Sequence, residues 1–276
     1  MAERLSPLIR RVTANNPGPF TGTGTGSHIV GHGNVAVLDP GPDDPAHVAA
    51  ILAALDGETL DAILVTHTHR DHSPAARALA AATGALVLGC APLAAAAGPA
   101  AEAFDTDHAP TRVLADGEAI AGPGWTLTAL STPGHASNHL AFALEEERAL
   151  FTGDHVMGWS TTVVAPPDGD MGDYLASLER LLSRDDLIYH PTHGEPVMQP
   201  QRHARGLLLH RRQREASILA RVRQSASTVP ALVAAMYAGV DARLYGAAGA
   251  SVLAHLMDLR HRGLVRAADD AVWEAA

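Results

Sequence analysis

Residues 64–75 read LVTHTHRDHSPA, with His67, His69, Asp71 and His72 inside six positions directly behind an apolar run. A short apolar run closed by a polar turn reads as a buried strand ending at the edge of a sheet. Imidazole and carboxylate are ligands that Zn2+ accepts, and alternate residues of one tight turn point into two adjacent coordination spheres. Four side chains do not fill two spheres. The reading therefore requires more His and Asp at other strand ends.

The same pattern recurs through the first 200 residues: VAVLDPG (35–41), AILVTHTHRDH (62–72), LTALSTPGH (127–135), ALFTGDH (149–155) and LIYHPTH (187–193). Each is an apolar run ending in candidate ligands, so His135, Asp154 and His193 join the first four. One such turn alone reads as a surface histidine; the four in order read as one metal site. If the strand ends line one edge of a layered α/β fold, these distant residues converge there. Asp39 reads as an anchor for ligand geometry or as a turn residue. His139 and His155 neighbour ligands and read either as donors to substrate or leaving group or as incidental histidines, and His190 reads as structural.

Helices fill the gaps. SPAARALAAATG (73–84) predicts a helix with Ser73 as N-cap and Gly84 as stop, and DMGDYLASLERLL (170–182) has apolar positions at helical spacing. The Ala-rich stretch 91–104 reads equally as helix or as mobile flap. A helix around 201–223, then VPALVAAMYAG (229–239), ASVLAHLMDLRHRGLVRA (250–267) and DDAVW (269–273), predict three helices and a short β wing.

Charge divides the chain near Pro200. Residues 1–200 carry nine arginines against 24 acids, a balance of −15, whereas 201–276 carry eleven against six, a balance of +5, and lysine is absent throughout. The basic part reads as an anion-facing surface or as a solvated helix face. Cys90, alone in the sequence, excludes an intramolecular disulfide framework and sits in an apolar context suited to a buried residue. No apolar stretch reaches membrane-spanning length, and MAERLSPLIRR lacks the apolar core of an export signal, so a cytoplasmic location away from membranes is expected.

THTHRDH, followed in order by TPGH, TGD and THG, resembles the metallo-β-lactamase superfamily over roughly residues 14–198. NNPGPFTGTGTGSHIVG (15–31) resembles the opening of the β-lactamase-like protein 2 group, which carries a C-terminal winged helix; the chain departs at Gly26, Ser27 and His28, where that pattern has Asn, Thr and Tyr. The resemblance implies an αββα sandwich over residues 1–200 and a helical, winged-helix domain over 201–276. It implies two Zn2+ per chain, with Mn or Fe as alternatives: His67, His69 and His135 on the first, Asp71, His72 and His193 on the second, Asp154 bridging.

The implied chemistry is hydrolysis by a metal-bridging hydroxide, with Asp71 orienting it or taking its proton. Single-stranded RNA is the expected substrate of a phosphodiesterase or endoribonuclease. The alternatives are a thioester or ester hydrolase of the glyoxalase II type and, outside catalysis, a metal-stabilised module binding nucleic acid or a partner. A homodimer fits either.

Overall fold

The computed structural model describes residues 2–93, 102–239, 241–269 and 271–276. Most of the Ala-rich stretch lies outside the described residues. Two compact units divide the chain: Met1–Thr132, Asn138–Ser160 and Asp185–Pro200 form the first, and Pro133–Ser137, Thr161–Arg184 and Gln201–Ala276 the second. The second unit therefore takes in two earlier segments besides the C-terminal one expected from the charge division.

The first unit contains two sheets. One runs β1 (Glu3–Arg4), β2 (Ile9–Thr13), β3 (Gly26–His32), β4 (Asn34–Leu38), β5 (Thr59–Val65), β6 (Leu86–Gly89) and β7 (Arg112–Val113) in sequence order. Its β4–β5 and β5–β6 pairs are parallel. The other contains β8 (Ala119–Gly122), β9 (Trp125–Ser131), β10 (Leu140–Leu144), β11 (Ala149–Gly153) and β12 (Ile188–Pro191), in the order β12-β11-β10-β9-β8 with β11 and β12 parallel. Strands buried on both faces read as unbroken apolar runs, and this is the case for β10 and β11, whose residues are all buried. Val35, Val37, Ile63 and Val65 of the first sheet share a core with Leu127, Phe142 and Phe151 of the second.

Helix α1 (Pro45–Leu55) packs on β2, and α2 (Ala75–Thr83) on β5 and β6. Asp44 caps α1 through Ala46 N, with Pro45 in the first turn. The expected cap of α2 is not made. Pro74 occupies that position without a side-chain bond, and Ser73 Oγ donates instead to Asp105, the carboxylate that also pairs with Arg77. Gly84 ends α2 in the left-handed conformation, as expected.

The second unit holds α3 (Met171–Leu182), α4 (Pro200–Gln224), α5 (Val229–Met236) and α6 (Tyr245–His261), with β13 (Ser227–Thr228), β14 (Val265–Ala267) and β15 (Val272–Ala275) paired β13-β15-β14. Ile218 and Val222 of α4, Leu232 of α5, Val252, Leu256 and Leu259 of α6, and Trp273 of β15 make its core. Element order and sheet topology are those of an αββα sandwich followed by a small winged helix.

Candidate metal centre

The parallel pairs explain why ligands meet. β4, β5, β11 and β12 end in Asp39, the 66–72 turn, Asp154 and the 192–193 turn, and parallel strands deliver successive ends to one edge. Asp39 is the hub of this edge. It has a positive φ of 46°, a conformation that costs a non-glycine residue energy unless its surroundings hold it. Its backbone N donates to Leu64 O at 2.8 Å, and its carbonyl accepts from Ser27 Oγ at 2.6 Å, itself 2.8 Å from His47 Nε2. Ser27 entered the sequence reading only as a departure from the family opening, and His47 did not enter it. His28, the next departure from the family opening, is buried against Phe151 and His190.

The Asp39 carboxylate gathers four groups: Thr66 N at 2.9 Å, Thr66 Oγ1 at 2.9 Å, Thr192 Oγ1 at 2.8 Å and His72 Nδ1 at 3.0 Å. The anchor reading is the one the geometry supports. These bonds also fix tautomers. Thr66 spends its only hydroxyl proton on Asp39, so His67 Nδ1 must donate to Thr66 Oγ1, at 2.9 Å. His72 Nδ1 donates to the carboxylate, and His193 Nδ1 to Gly24 O at 3.3 Å. All three rings are thereby turned with Nε2 into the site, the atom that a metal takes once any proton on it is lost.

Those Nε2 atoms face one another and the carboxylates. His67 Nε2 lies 2.8 Å from His69 Nδ1; His193 Nε2 lies 3.1 Å from Asp71 Oδ2 and 3.3 Å from Asp154 Oδ1; His72 Nε2 lies 3.5 Å from Asp154 Oδ1. His72 and His193 are fully buried, and neither Nε2 has a hydrogen bond of good geometry. Buried polar atoms aimed at one point without such bonds fit a cation. Ligand atoms of His67, His72 and Asp154, and of Asp71, His72 and His193, lie within 4.8 Å of one another.

The protonation states carry the same message. Burial opposes charge on His72, yet the Asp71, Asp154 and Asp39 carboxylates raise its pKa well above the ordinary 6.5. Burial likewise works against His193, but Asp154 and Asp71 raise it. Asp71 is pushed up by burial and pulled down harder by His72 and His193, to about 2. Without a metal, the site holds protons where divalent cations would sit.

Six of the seven candidate ligands belong to the first unit. His135 lies on the Pro133–Ser137 segment of the second, its Nδ1 donating to Val163 O at 2.6 Å, which again turns Nε2 outward. Gly134 beside it has a φ of 133°, and a Cβ there would stand 2.3 Å from Tyr174 Cα. The donor role read for His139 is corrected. Its Nε2 accepts from Asp154 N at 3.2 Å and its Nδ1 donates to Thr132 Oγ1 at 2.8 Å, so the ring holds the Asp154 backbone. His155 is fully buried and has no face to offer a substrate. His190 packs on Phe151 as a structural residue, with burial and Arg11 lowering its pKa to about 4.

Histidine and carboxylate side chains gathered at the parallel strand ends of a two-sheet sandwich define a metal-binding α/β protein with room for two ions. The family model described as the metallo-beta-lactamase superfamily matches residues 24–193, and the chain belongs to that superfamily. The beta-lactamase associated winged helix domain matches residues 228–273. An atrochrysone carboxyl ACP thioesterase from Cryptosporiopsis is 32% identical over 80% of this chain; the match spans 65% of that relative, just under two thirds of its length. A metallo-beta-lactamase family protein from Thermus thermophilus superposes with a TM-score of 0.82 at 24% identity, covering 99% of this chain and 100% of that one. A further structure, solved in a di-iron-bound form, is 30% identical with a TM-score of 0.55, over 69% of this chain and 95% of its own. Among the described residues no helix is long and apolar enough to cross a membrane.

Proposed function

We propose that this chain is a metal-dependent thioester hydrolase that releases an acyl group from a thiol carrier. The observation that carries the reading is the likeness, over four fifths of the chain, to a relative named as a carrier-protein thioesterase. In this reading His67, His69 and His135 would hold one ion and Asp71, His72 and His193 the other, with Asp154 between them. Divalent cations so held supply water of lowered pKa and positive charge for a developing oxyanion. The chain's own residues do the rest. Asp39 aims His72 directly and His67 through Thr66, Gly24 O aims His193, His139 fixes the backbone of Asp154, and Asp71, held ionised, is the carboxylate assigned to take a proton. The native metal of the group, zinc, manganese or iron, is read out by elemental content.

Part of the basic charge that favoured an RNA substrate is spent inside the second unit. Arg211 is buried over the Tyr174 ring and bonds Thr162 O, Arg212 pairs with Glu179, and Arg214 stacks on Tyr237 at 4.5 Å. Arg211 and Arg214 are thus engaged within the second unit, whereas Arg212 remains at the surface. The test is a panel of thioester, phosphodiester and lactone substrates on the metal-loaded chain, with Asp71→Ala as control. Thioester turnover lost in the variant supports the proposal. Phosphodiester turnover without thioester turnover sinks it, and no turnover on any substrate despite full metal content assigns a binding module instead.

A further inference from the structure

Helix α4 carries seven arginines against one acid, Glu215. Its inward charges are already answered: Arg211 and Arg214 as above, and Glu215 by Arg262 at 2.5 Å. What remains outside is ordered. Arg202, Arg205, Leu209, Arg212, Ala216, Ala220 and Arg223 are all exposed, at steps of three or four residues, so they lie in one stripe along the helix. The stripe runs about 31 Å at 1.5 Å per residue. Arg205 and Arg223 make no ion pair among the described residues, and the pair of Arg212 with Glu179 is itself solvent-exposed and weak. Near the middle stands Leu209, 58% exposed.

We propose that this stripe docks an acidic helix of the protein that carries the acyl thioester, an inference that rests on the thioesterase reading above. A row of cations along a straight helix is complementary to a row of carboxylates on another helix, and such complementarity raises encounter rates and fixes register. Leu209 favours protein over nucleic acid. An apolar knob between cations is covered by the ridge of a second helix, whereas a phosphate backbone offers it no apolar surface. The partner is therefore an acidic carrier domain, and the stripe sets affinity for it without taking part in the chemistry.

The experiment uses the metal-loaded full chain and the double variant Arg205→Glu/Arg223→Glu, whose changes are exposed and leave the core untouched. Two substrates present the same acetyl thioester, one on an acidic acyl carrier protein and one on free N-acetylcysteamine. The variant is expected to raise KM for the carrier-borne substrate at least about tenfold, with kcat and the free thioester unchanged, and the wild-type KM for the carrier is expected to rise with salt. A second readout, anisotropy of fluorescently labelled carrier titrated with metal-free protein, is expected to show the same loss of affinity. If neither thioester turns over, the thioesterase reading fails, while the anisotropy titration still decides the docking surface. Equal effects on both substrates, or no loss of carrier binding, overturn the proposal. So does selective loss of binding to a single-stranded RNA oligomer, or conversion of a wild-type dimer to monomer by size exclusion, which would assign the stripe to nucleic acid or to a second copy of the chain.

Discussion

Asp39→Asn removes a charge and changes no volume, yet it strikes the hub of the site. The carboxylate accepts from four donors: Thr66 N, Thr66 Oγ1, Thr192 Oγ1 and His72 Nδ1. Three of the four converge on Oδ2. An amide that keeps its oxygen toward Thr66 N turns its NH2 toward those three. Hydroxyls rotate and recover part of the loss, but an imidazole answers only by moving its proton. His72 then accepts at Nδ1 and carries hydrogen on Nε2, the atom that the metal needs bare. Leaving one or two buried donors unpaired costs about 1 to 6 kcal/mol of stability at roughly 1–3 kcal/mol each. Loss of an outer partner of a metal-ligating histidine lowers metal affinity by about 10- to 100-fold. Urea denaturation of the metal-free protein reads the first quantity, and competition with a chromophoric chelator reads the second. Unchanged metal affinity in a stably folded Asp39→Asn would refute the claim that this carboxylate sets the His72 tautomer.

Three further outcomes follow from the same geometry. His190 has a folded pKa of about 4 against an ordinary 6.5. Because the folded value is the lower one, its contribution is complete above pH 6.5 and is lost as pH falls toward 4, about 3 kcal/mol in all. His190→Phe should flatten the acid limb of stability measured by urea denaturation between pH 7.5 and 4.5; parallel curves for the two proteins would count against it. Gly153 has a φ of 50°, and a Cβ there would lie 2.6 Å from His139 Nε2. Gly153→Ala should thus cost at least about 2 kcal/mol in denaturation and weaken metal binding through Asp154. Finally, the neighbouring carboxylates raise the pKa values of His72 and His193 and so favour protons on the metal-free site. Metal binding should release them, seen by calorimetry as a heat that varies with the ionisation enthalpy of the buffer. A buffer-independent heat is the contrary result.

The seven candidate ligand positions stand out in the sequence because each follows an apolar run, and a run that ends in His or Asp instead of a neutral turn departs from the ordinary pattern. The supporting atoms do not. Thr66 and Thr192 are ordinary residues at strand ends, and their meaning depends on Asp39 lying across the edge, 27 and 153 positions away. His47 was hidden because a histidine in α1 interrupts no pattern, and Ser27 was visible only as a departure from the family opening; the left-handed backbone at Asp39 shows what the two restrain. His139 and His155 misled because proximity in sequence to a ligand implies nothing about which way a ring points.

Charge shows the limit most clearly. The balance of +5 after residue 200 is correct as a number, but a helix has sides. Arg211, Arg212 and Arg214 are neighbours in sequence, and a turn of about 100° per residue sends the first into the core and leaves the second outside. Counting treats them alike, whereas the surface that a partner meets is set by the period. Arg205 and Arg223, eighteen residues and so about five turns of an ideal helix apart, are the pair that belongs to one face. A composition argument about a partner therefore becomes a structural one only after the inward charges are subtracted, and on α4 that subtraction removes Arg211 and Arg214 and leaves Arg212 on the outer face.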